Sequence, residues 1–355
     1  MRTAIIFTGA LRTIRKTIRY FKENVLLANQ TSANQTGANQ TGANETTASQ
    51  TVASQSPDIF ICVQNDSPQR SEDWNLWFRD EMGPTVRSVE WFSLEQHSEW
   101  VTHRETQLNH IYLDEGWKRY LRTSGSMIEY FQLQLAYMKM CHYEQLHQIK
   151  YDYIVRARTD SIYAKPVDFH WLQWSTEDIA ARLARITVIL QQSPIELTRK
   201  NILTYFMTTI ISDDLIPNIP QMMVEMMVEM CPSETETILQ SDLTPTALRT
   251  YIHEGRYILT IRKNNLYIVR RNLFYLIPSL GTMYGFLRSP VADDYWFNAE
   301  CQFRSACYHS CVTIFEYSSL FEEKSLEFSG WNHSDFFDEE GNPIHSRMLY
   351  CIVRK

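Results

Sequence analysis

Neither glycine signature of a phosphate-binding loop is present. No G-x-G-x-x-G follows the first apolar strand and no G-x-x-x-x-G-K-[ST] occurs anywhere, which argues against a dinucleotide-binding unit and a Walker-type ATPase. No apolar run approaches transmembrane length. Ala4 to Phe7 is too short for the apolar centre of a signal peptide and Arg12 follows closely, so no leader is expected and the reading is a cytoplasmic protein. A cysteine framework is missing as well. The 7 cysteines are odd in number and scattered, the pattern of free thiols in a reducing compartment. Cys307, His309 and Cys311 come nearest to a zinc cluster, but no second cysteine pair stands at ligand spacing, and core packing is the better reading. Positive charge is not in excess, and a net charge of −7 argues against a nucleic-acid partner.

What is present supports a substantial core. The 355 residues suit one large domain with insertions or two smaller ones, and 44% hydrophobic residues exclude a disordered chain. Charge is uneven. Arg12, Arg15, Lys16, Arg19 and Lys22 crowd the first helix, whereas Asp335, Asp338, Glu339 and Glu340 crowd the end. The basic helix reads as a solvated face or as help in holding an anion. Ala28 to Gln55 repeats an Ala-Asn-Gln-Thr unit without any aromatic residue, so a flexible surface insertion is expected there. The N-x-Thr sequons starting at Asn29, Asn34, Asn39 and Asn44 are read as incidental to that composition.

Hydrophobic spacing sets out the elements. Thr3 to Thr8 is a strand broken by Gly9. Arg12 to Leu27 is an amphipathic helix with Leu11, Ile14, Ile18, Phe21 and Val25 on one face. Asp58 to Val63 and Val86 to Phe92 are strands, with an irregular stretch holding Trp74 and Trp77 between them. Met127 to Ile149 is a long helix with Ile128, Phe131, Leu135, Met138, Cys141 and Leu146 inward, and it leads into a strand at Tyr153. This alternation is that of a parallel α/β sheet. Trp174 to Arg249 reads as a helical insertion, with Ile179 to Gln191 and the methionine-rich Met222 to Met230 as helices and the methionines as core filler. Tyr257 to Ile261 and Asn265 to Val269 form a hairpin, Ser279 to Gly285 a loop, Asp293 to Cys311 a helix and Met348 to Val353 a closing strand. The organisation expected is an α/β part at 1–170 carrying the 28–55 insertion, a helical subdomain at 171–250, and a second α/β part at 251–355 completing the same domain.

The chemically richest stretch is Tyr151 to Asp160. The apolar run Tyr153 to Val155 enters Arg156, Arg158 and Asp160, whose spacing of two puts them on one side of an extended chain. Charges gathered at the carboxyl end of a buried strand are costly unless they hold something. In open α/β sheets that end is where ligands bind. A carboxylate there suits a divalent metal and arginines suit phosphate. The alternative is a structural ion pair capping the strand.

The opening strand ending Thr8-Gly9-Ala10-Leu11-Arg12, the strand Pro57-Asp58-Ile59-Phe60-Ile61, the long helix and the Arg156-Ala157-Arg158-Thr159-Asp160 segment resemble GT-A-type nucleotide-sugar glycosyltransferases, in the flavour found in large DNA viruses and bacterial surface-polysaccharide clusters. Asp293-Asp294-Tyr295-Trp296-Phe297-Asn298-Ala299-Glu300 resembles the acidic helix start on the acceptor side of that group. The resemblance covers about two thirds of the chain and leaves out the 28–55 and 174–249 segments. It implies a GT-A-like, Rossmann-type mixed sheet flanked by helices, with an inserted helical subdomain. It also implies a nucleotide-diphosphate sugar as donor, a glycan or protein hydroxyl as acceptor, and a cytoplasmic site of action (the host cytoplasm if the chain is viral).

The residue roles follow from the same resemblance. Asp160 stands at the metal position for Mn²⁺ or Mg²⁺. Thr8, Gly9, Arg12, Arg156 and Arg158 fall at donor-binding positions, with the arginines suited to the charge that grows on a departing diphosphate. Asp293, Asp294 and Glu300 are candidates for the base that activates the acceptor hydroxyl, set against ordinary helix capping for the two aspartates. Trp296 and Tyr284 are candidates for stacking on a sugar, with core packing the better reading for either. One departure matters: Arg158 stands where a D-x-D motif has its first aspartate, which weakens the case for metal. The runner-up is a sugar- or nucleotide-binding module of the same fold without turnover. A sulfo- or phosphotransferase is weaker still, since Gly9 alone is poor support for a phosphate loop.

Overall fold

The computed structural model describes residues 1–29, 56–64, 71–93, 95–110, 115–123, 125–212, 216, 226–229, 242–261, 266–283, 299–317, 337–340 and 350–352. In chain order the elements are β1 (Thr3–Ala10), α1 (Ile14–Phe21), β2 (Asp58–Gln64), α2 (Ser71–Met82), β3 (Val86–Phe92), α3 (Ser98–His110), α4 (Glu115–Thr123), α5 (Ser126–His147), β4 (Tyr153–Arg158), β5 (Ser161–Tyr163), α6 (Thr176–Gln191), α7 (Arg199–Thr209), β6 (Met226–Glu229), α8 (Pro245–Glu254), β7 (Tyr257–Ile261), β8 (Leu266–Arg270), α9 (Leu280–Met283), α10 (Ala299–His309), β9 (Thr313–Tyr317) and β10 (Tyr350–Ile352). A π-helical turn, Lys22–Leu27, extends α1.

One mixed sheet of 8 strands runs β3-β2-β1-β4-β8-β7-β9-β6. The first four strands are parallel. β8 then runs antiparallel to both β4 and β7, β9 is parallel to β7, and β6 is antiparallel to β9. A small antiparallel pair, β5 with β10, lies beside the main sheet. The order places β1 in the middle: the chain leaves it toward β2 and β3, then returns to lay β4 on its other side. The carboxyl ends of β1 and β4 are therefore a topological switch point, where an open α/β sheet leaves a crevice.

Strand alternation divides the core into two layers. Ile5, Phe7, Val155 and Ala157 face one side and pack with α1, α2 and α6 to α8. Ala4, Ile6 and Ile154 face the other and pack with α3, α5, α9 and α10. The helices of the 171–250 segment do not form a package of their own. Ile179, Ile186, Leu203, Phe206 and Leu248 share one core with Ile5 and Val155, and β6 joins the main sheet.

Four sequence readings need correction. Met226–Glu229 is a strand paired with β9, not part of a helix, because an open sheet edge supplies the hydrogen bonds that propensity alone would have placed within the segment. The stretch around Trp74 and Trp77 is the helix α2, whose Phe78 and Met82 are buried. Leu280–Met283 is a helical turn, since it carries on the run of turns that starts with the Leu273 N–H donating to the Arg270 carbonyl. Met138 and Leu146 of α5 are exposed, and Met127, Tyr130, Leu133, Ala136 and Met140 form the buried face instead. α5 is apolar around most of its circumference, so spacing alone fits more than one face.

Ala28 and Asn29, read as the start of the insertion, still belong to the helix that follows β1. Asn29 is buried. Its amide donates to the carbonyls of Val25 and Val167, and its carbonyl accepts the N–H of Phe169 at 2.7 Å. A carboxamide so engaged cannot carry a glycan in the folded chain. The other sequons and the rest of the repeat lie outside the described residues.

Candidate functional site

The switch point is closed by a joint between two loops. Near the end of β1 Gly9 lies at φ 143°, a conformation that L side chains rarely adopt, and a Cβ there would overlap the hydroxyl of Thr159. Thr159 N–H donates to the Thr8 carbonyl at 3.1 Å and its hydroxyl to the Ala10 carbonyl at 2.8 Å. Its own carbonyl accepts the Thr17 hydroxyl at 2.6 Å, which binds the turn after β4 to α1. Gln132 of α5 reaches the Gly9 carbonyl at 3.4 Å. The glycine is needed because the two turns meet backbone against side chain.

The charges of β4 sit beside this joint, on the α5 face. Arg158 clasps Asp160 through two bonds, Nε to Oδ1 at 2.7 Å and Nη2 to Oδ2 at 2.8 Å. A second carboxylate bridges both arginines: Glu129 accepts Arg156 Nη2 at 2.7 Å and lies 3.3 Å from Arg158 Nη1. The result is a chain Arg156, Glu129, Arg158, Asp160. Arg156 is wholly buried, with its guanidinium 5.7 Å from the Tyr267 ring centre. The Arg158 side chain keeps 21% of its surface exposed. Burial of Asp160 pushes its carboxyl pKa up, but the charges of Arg158, Arg156 and Arg12 outweigh it and hold the group below the ordinary carboxylate range.

Arg12 is the third cation. It is exposed at the entry to α1, and its charge reaches Asp160. The start of that helix follows a 3-10 turn, with the Ile14 N–H donating to the Leu11 carbonyl, and carries no side-chain cap and no acidic residue in its first turn. Thr8 is fully buried on β1, opposite Arg158 in register. Its hydroxyl, like that of Thr13, meets no hydrogen-bonding partner among the described residues.

Of the residues singled out in the sequence, Thr8, Gly9, Arg12, Arg156, Arg158 and Asp160 converge on this edge. Within that set Arg12 and Arg158 reach solvent, while Arg156 and Thr8 stand behind them. Glu300 lies in the first turn of α10. That turn is tied to α5: the Tyr130 hydroxyl donates to the Ala299 carbonyl at 2.8 Å, one residue on from Glu129. Phe303 of α10 stacks on Tyr267, 5.6 Å between ring centres, so the helix covers the same face as the arginines. Asp293, Asp294, Trp296 and Tyr284 lie outside the described residues.

Glu129 and Thr159 were missed in the sequence. Thr159 has no signal of its own beyond standing between Arg158 and Asp160. Glu129 has one: it is the single acid within the apolar run Met127 to Phe131 of a helix that precedes a strand bearing two arginines.

Among the described residues the donor set around Asp160 does not fit a divalent cation. Both its oxygens are taken by Arg158, and a guanidinium beside the carboxylate repels a second cation. Among the described residues no cluster of three His, Cys, Asp or Glu could hold a metal ion. Cys307 is buried, whereas Cys311 is exposed beyond the end of α10. No helix among the described residues is long and apolar enough to cross a membrane. No protein-family model matches the sequence, and no curated protein gives a significant match.

Proposed function

We propose that the chain is a GT-A-type glycosyltransferase that moves a sugar from a nucleoside-diphosphate donor to a hydroxyl of a glycan or protein. The observation that carries this reading is the convergence of Arg12, Arg158 and Asp160 at the carboxyl ends of β1 and β4. Ligands of open α/β sheets bind at that place, and guanidinium groups there suit a diphosphate.

The chemistry follows from charge. When the bond between the anomeric carbon and the diphosphate breaks, negative charge grows on the leaving oxygen and must be offset where it forms. Arg158 is placed for this by Asp160 on one side and Glu129 on the other, which fix its fork. Arg12 adds a second cation at the solvent side. The acceptor hydroxyl loses its proton to a carboxylate, and Glu300, Asp293 and Asp294 remain the candidates. No step is routed through a metal, since the oxygens of Asp160 are committed to Arg158.

That commitment favours a second reading, a binding module of the same fold that holds a nucleotide or sugar without turnover. Thermal unfolding against UDP, GDP, CMP and ADP, each with and without Mn²⁺, tests both. A ligand that binds only the folded chain raises the midpoint. A rise with one diphosphate, indifferent to Mn²⁺ and abolished by Arg158→Ala, is the expected result. Release of the free diphosphate from the matching nucleotide sugar then marks the transferase, and binding without release marks the module. No rise with any of the four overturns both.

A further inference from the structure

The opposite edge of the sheet carries a second charged site. A cavity of about 490 Å³ opens at the amino end of β4, within the size range of small-molecule sites. Tyr153 and Leu172, both buried, contribute its apolar wall. Its rim is basic. Lys150 comes from the connection between α5 and β4, Arg270 from the end of β8, and His253 from the last turn of α8. Neither Lys150 nor Arg270 forms an ion pair among the described residues. Arg271, also on the rim, is neutralised by Glu144 at 2.8 Å.

Two acids oppose the rim. Asp152 is exposed and accepts the Arg2 N–H at 2.8 Å, and Glu254 lies beside His253. They do not cancel the local cations, which include Arg249 of α8. Burial, then the charges of Arg249 and Arg270, hold His253 below its ordinary pKa despite Glu254. An anion in the cavity would relieve that repulsion.

We propose that this cavity binds a phosphorylated small molecule, with Lys150 and Arg270 gripping the phosphate and Tyr153 and Leu172 lining the place of its organic part. Two cations converging from different elements suit a dianion. The apolar wall and the volume exceed what a free phosphate ion fills. The site is independent of the reading given for the carboxyl edge.

The test uses the full chain and follows the His253 ring by NMR, assigned with His253→Gln, while inorganic phosphate or glycerol phosphate is added. Both ligands are expected to raise the midpoint of the His253 titration. Tighter binding of the ester identifies an organic phosphate as the occupant, and equal binding identifies free phosphate. Affinity should fall about tenfold or more in Lys150→Ala/Arg270→Ala and by a smaller factor in Lys150→Ala, a change at an exposed side chain that leaves folding intact. A His253 ring indifferent to both ligands overturns the proposal. So does a shift of undiminished size in the double variant.

Discussion

Helix α5 ties down both edges of the sheet with a glutamate, and the two knots differ. Near its last turn Glu144 accepts Arg271 Nη2 at 2.8 Å and Nε at 3.0 Å, together with the Tyr151 N–H at 3.0 Å. Arg271 also donates to the Tyr137 hydroxyl at 2.9 Å. One acid meets one base, and neutral partners take up the rest. In its first turn Glu129 instead spans two arginines, one of which is shared with Asp160. Two acids then face two bases, with Arg12 as a further cation beyond them. The closed knot has no charge left to offer. The other keeps a partly exposed guanidinium with Arg12 beyond it, which on the proposed reading is what an arriving anion uses. One helix thus builds a closed brace at one end and, on the proposed reading, an anion site at the other from the same two residue types.

The sharpest way to break this comparison is to neutralise each glutamate in turn. Glu129→Gln takes a carboxylate from the buried Arg156, and removing one partner of a buried pair costs about 3–5 kcal/mol. Glu144→Gln should cost less, about 2 kcal/mol, because Arg271 is more exposed than Arg156 and keeps Tyr137. Denaturant midpoints give both values. The second half of the test is binding. Removing Glu129 raises the positive charge at the carboxyl edge, so the favoured nucleoside diphosphate should stabilise Glu129→Gln by more than it does the unaltered chain. Glu144→Gln should leave that increment unchanged. Equal increments in the two variants would show that the open knot is only another brace.

Next in size is the joint between the two turns. Gly9→Ala forces a side chain into a conformation it resists and against the Thr159 hydroxyl, at about 2–3 kcal/mol. Gly83, also at positive φ but with open space around it, should tolerate alanine with a smaller loss, and the contrast in midpoints between the two variants measures the contact itself.

Asp160→Asn is smaller again, about 1–2 kcal/mol near neutral pH, since the exposed part of Arg158 can turn to water. Its signature is in the pH profile. The folded carboxyl titrates below its unfolded value of about 4, so its contribution is present above that value and is lost as pH falls through the lower folded value. Unfolding midpoints from pH 7 down to about 2 should show an acid-side loss that is reduced in Asp160→Asn. An unchanged acid limb would mean that the clasp with Arg158 does not hold in solution.

The parallel half of the sheet was legible because each of its strands is a compact apolar run bounded by polar turns. Val86–Phe92 falls where the pattern put it, and Asp58–Gln64 ends one residue beyond the expected Val63. The convergence at Arg156, Arg158 and Asp160 was also readable, since period two and a buried strand leave few arrangements for three charges. What a single segment could not show was who answers those charges. Glu129 lies 27 residues before Arg156 and meets it only through the packing of α5 on the sheet. Likewise β6 is a strand because β9 stands open beside it, and the methionine-rich segment holds no trace of that neighbour.

The smallest effect probes the face of α5 itself. Met138 and Leu146 fit an inward stripe by spacing, yet they expose 58% and 68% of their surface, while Met140 exposes none. The reason lies at the two glutamates. Glu129 and Glu144 must both point at the sheet to meet their arginines, and 15 residues is close to four whole turns, so the pair fixes which side of the helix is inward. Met138 then has no choice but to face solvent. Met138→Glu and Leu146→Glu should shift the unfolding midpoint by no more than about 0.5 kcal/mol. Met140→Glu buries a charge and should prevent folding. A large loss from Met138→Glu would mean that α5 is turned toward the stripe read from spacing, and with it both ionic knots would have to be redrawn.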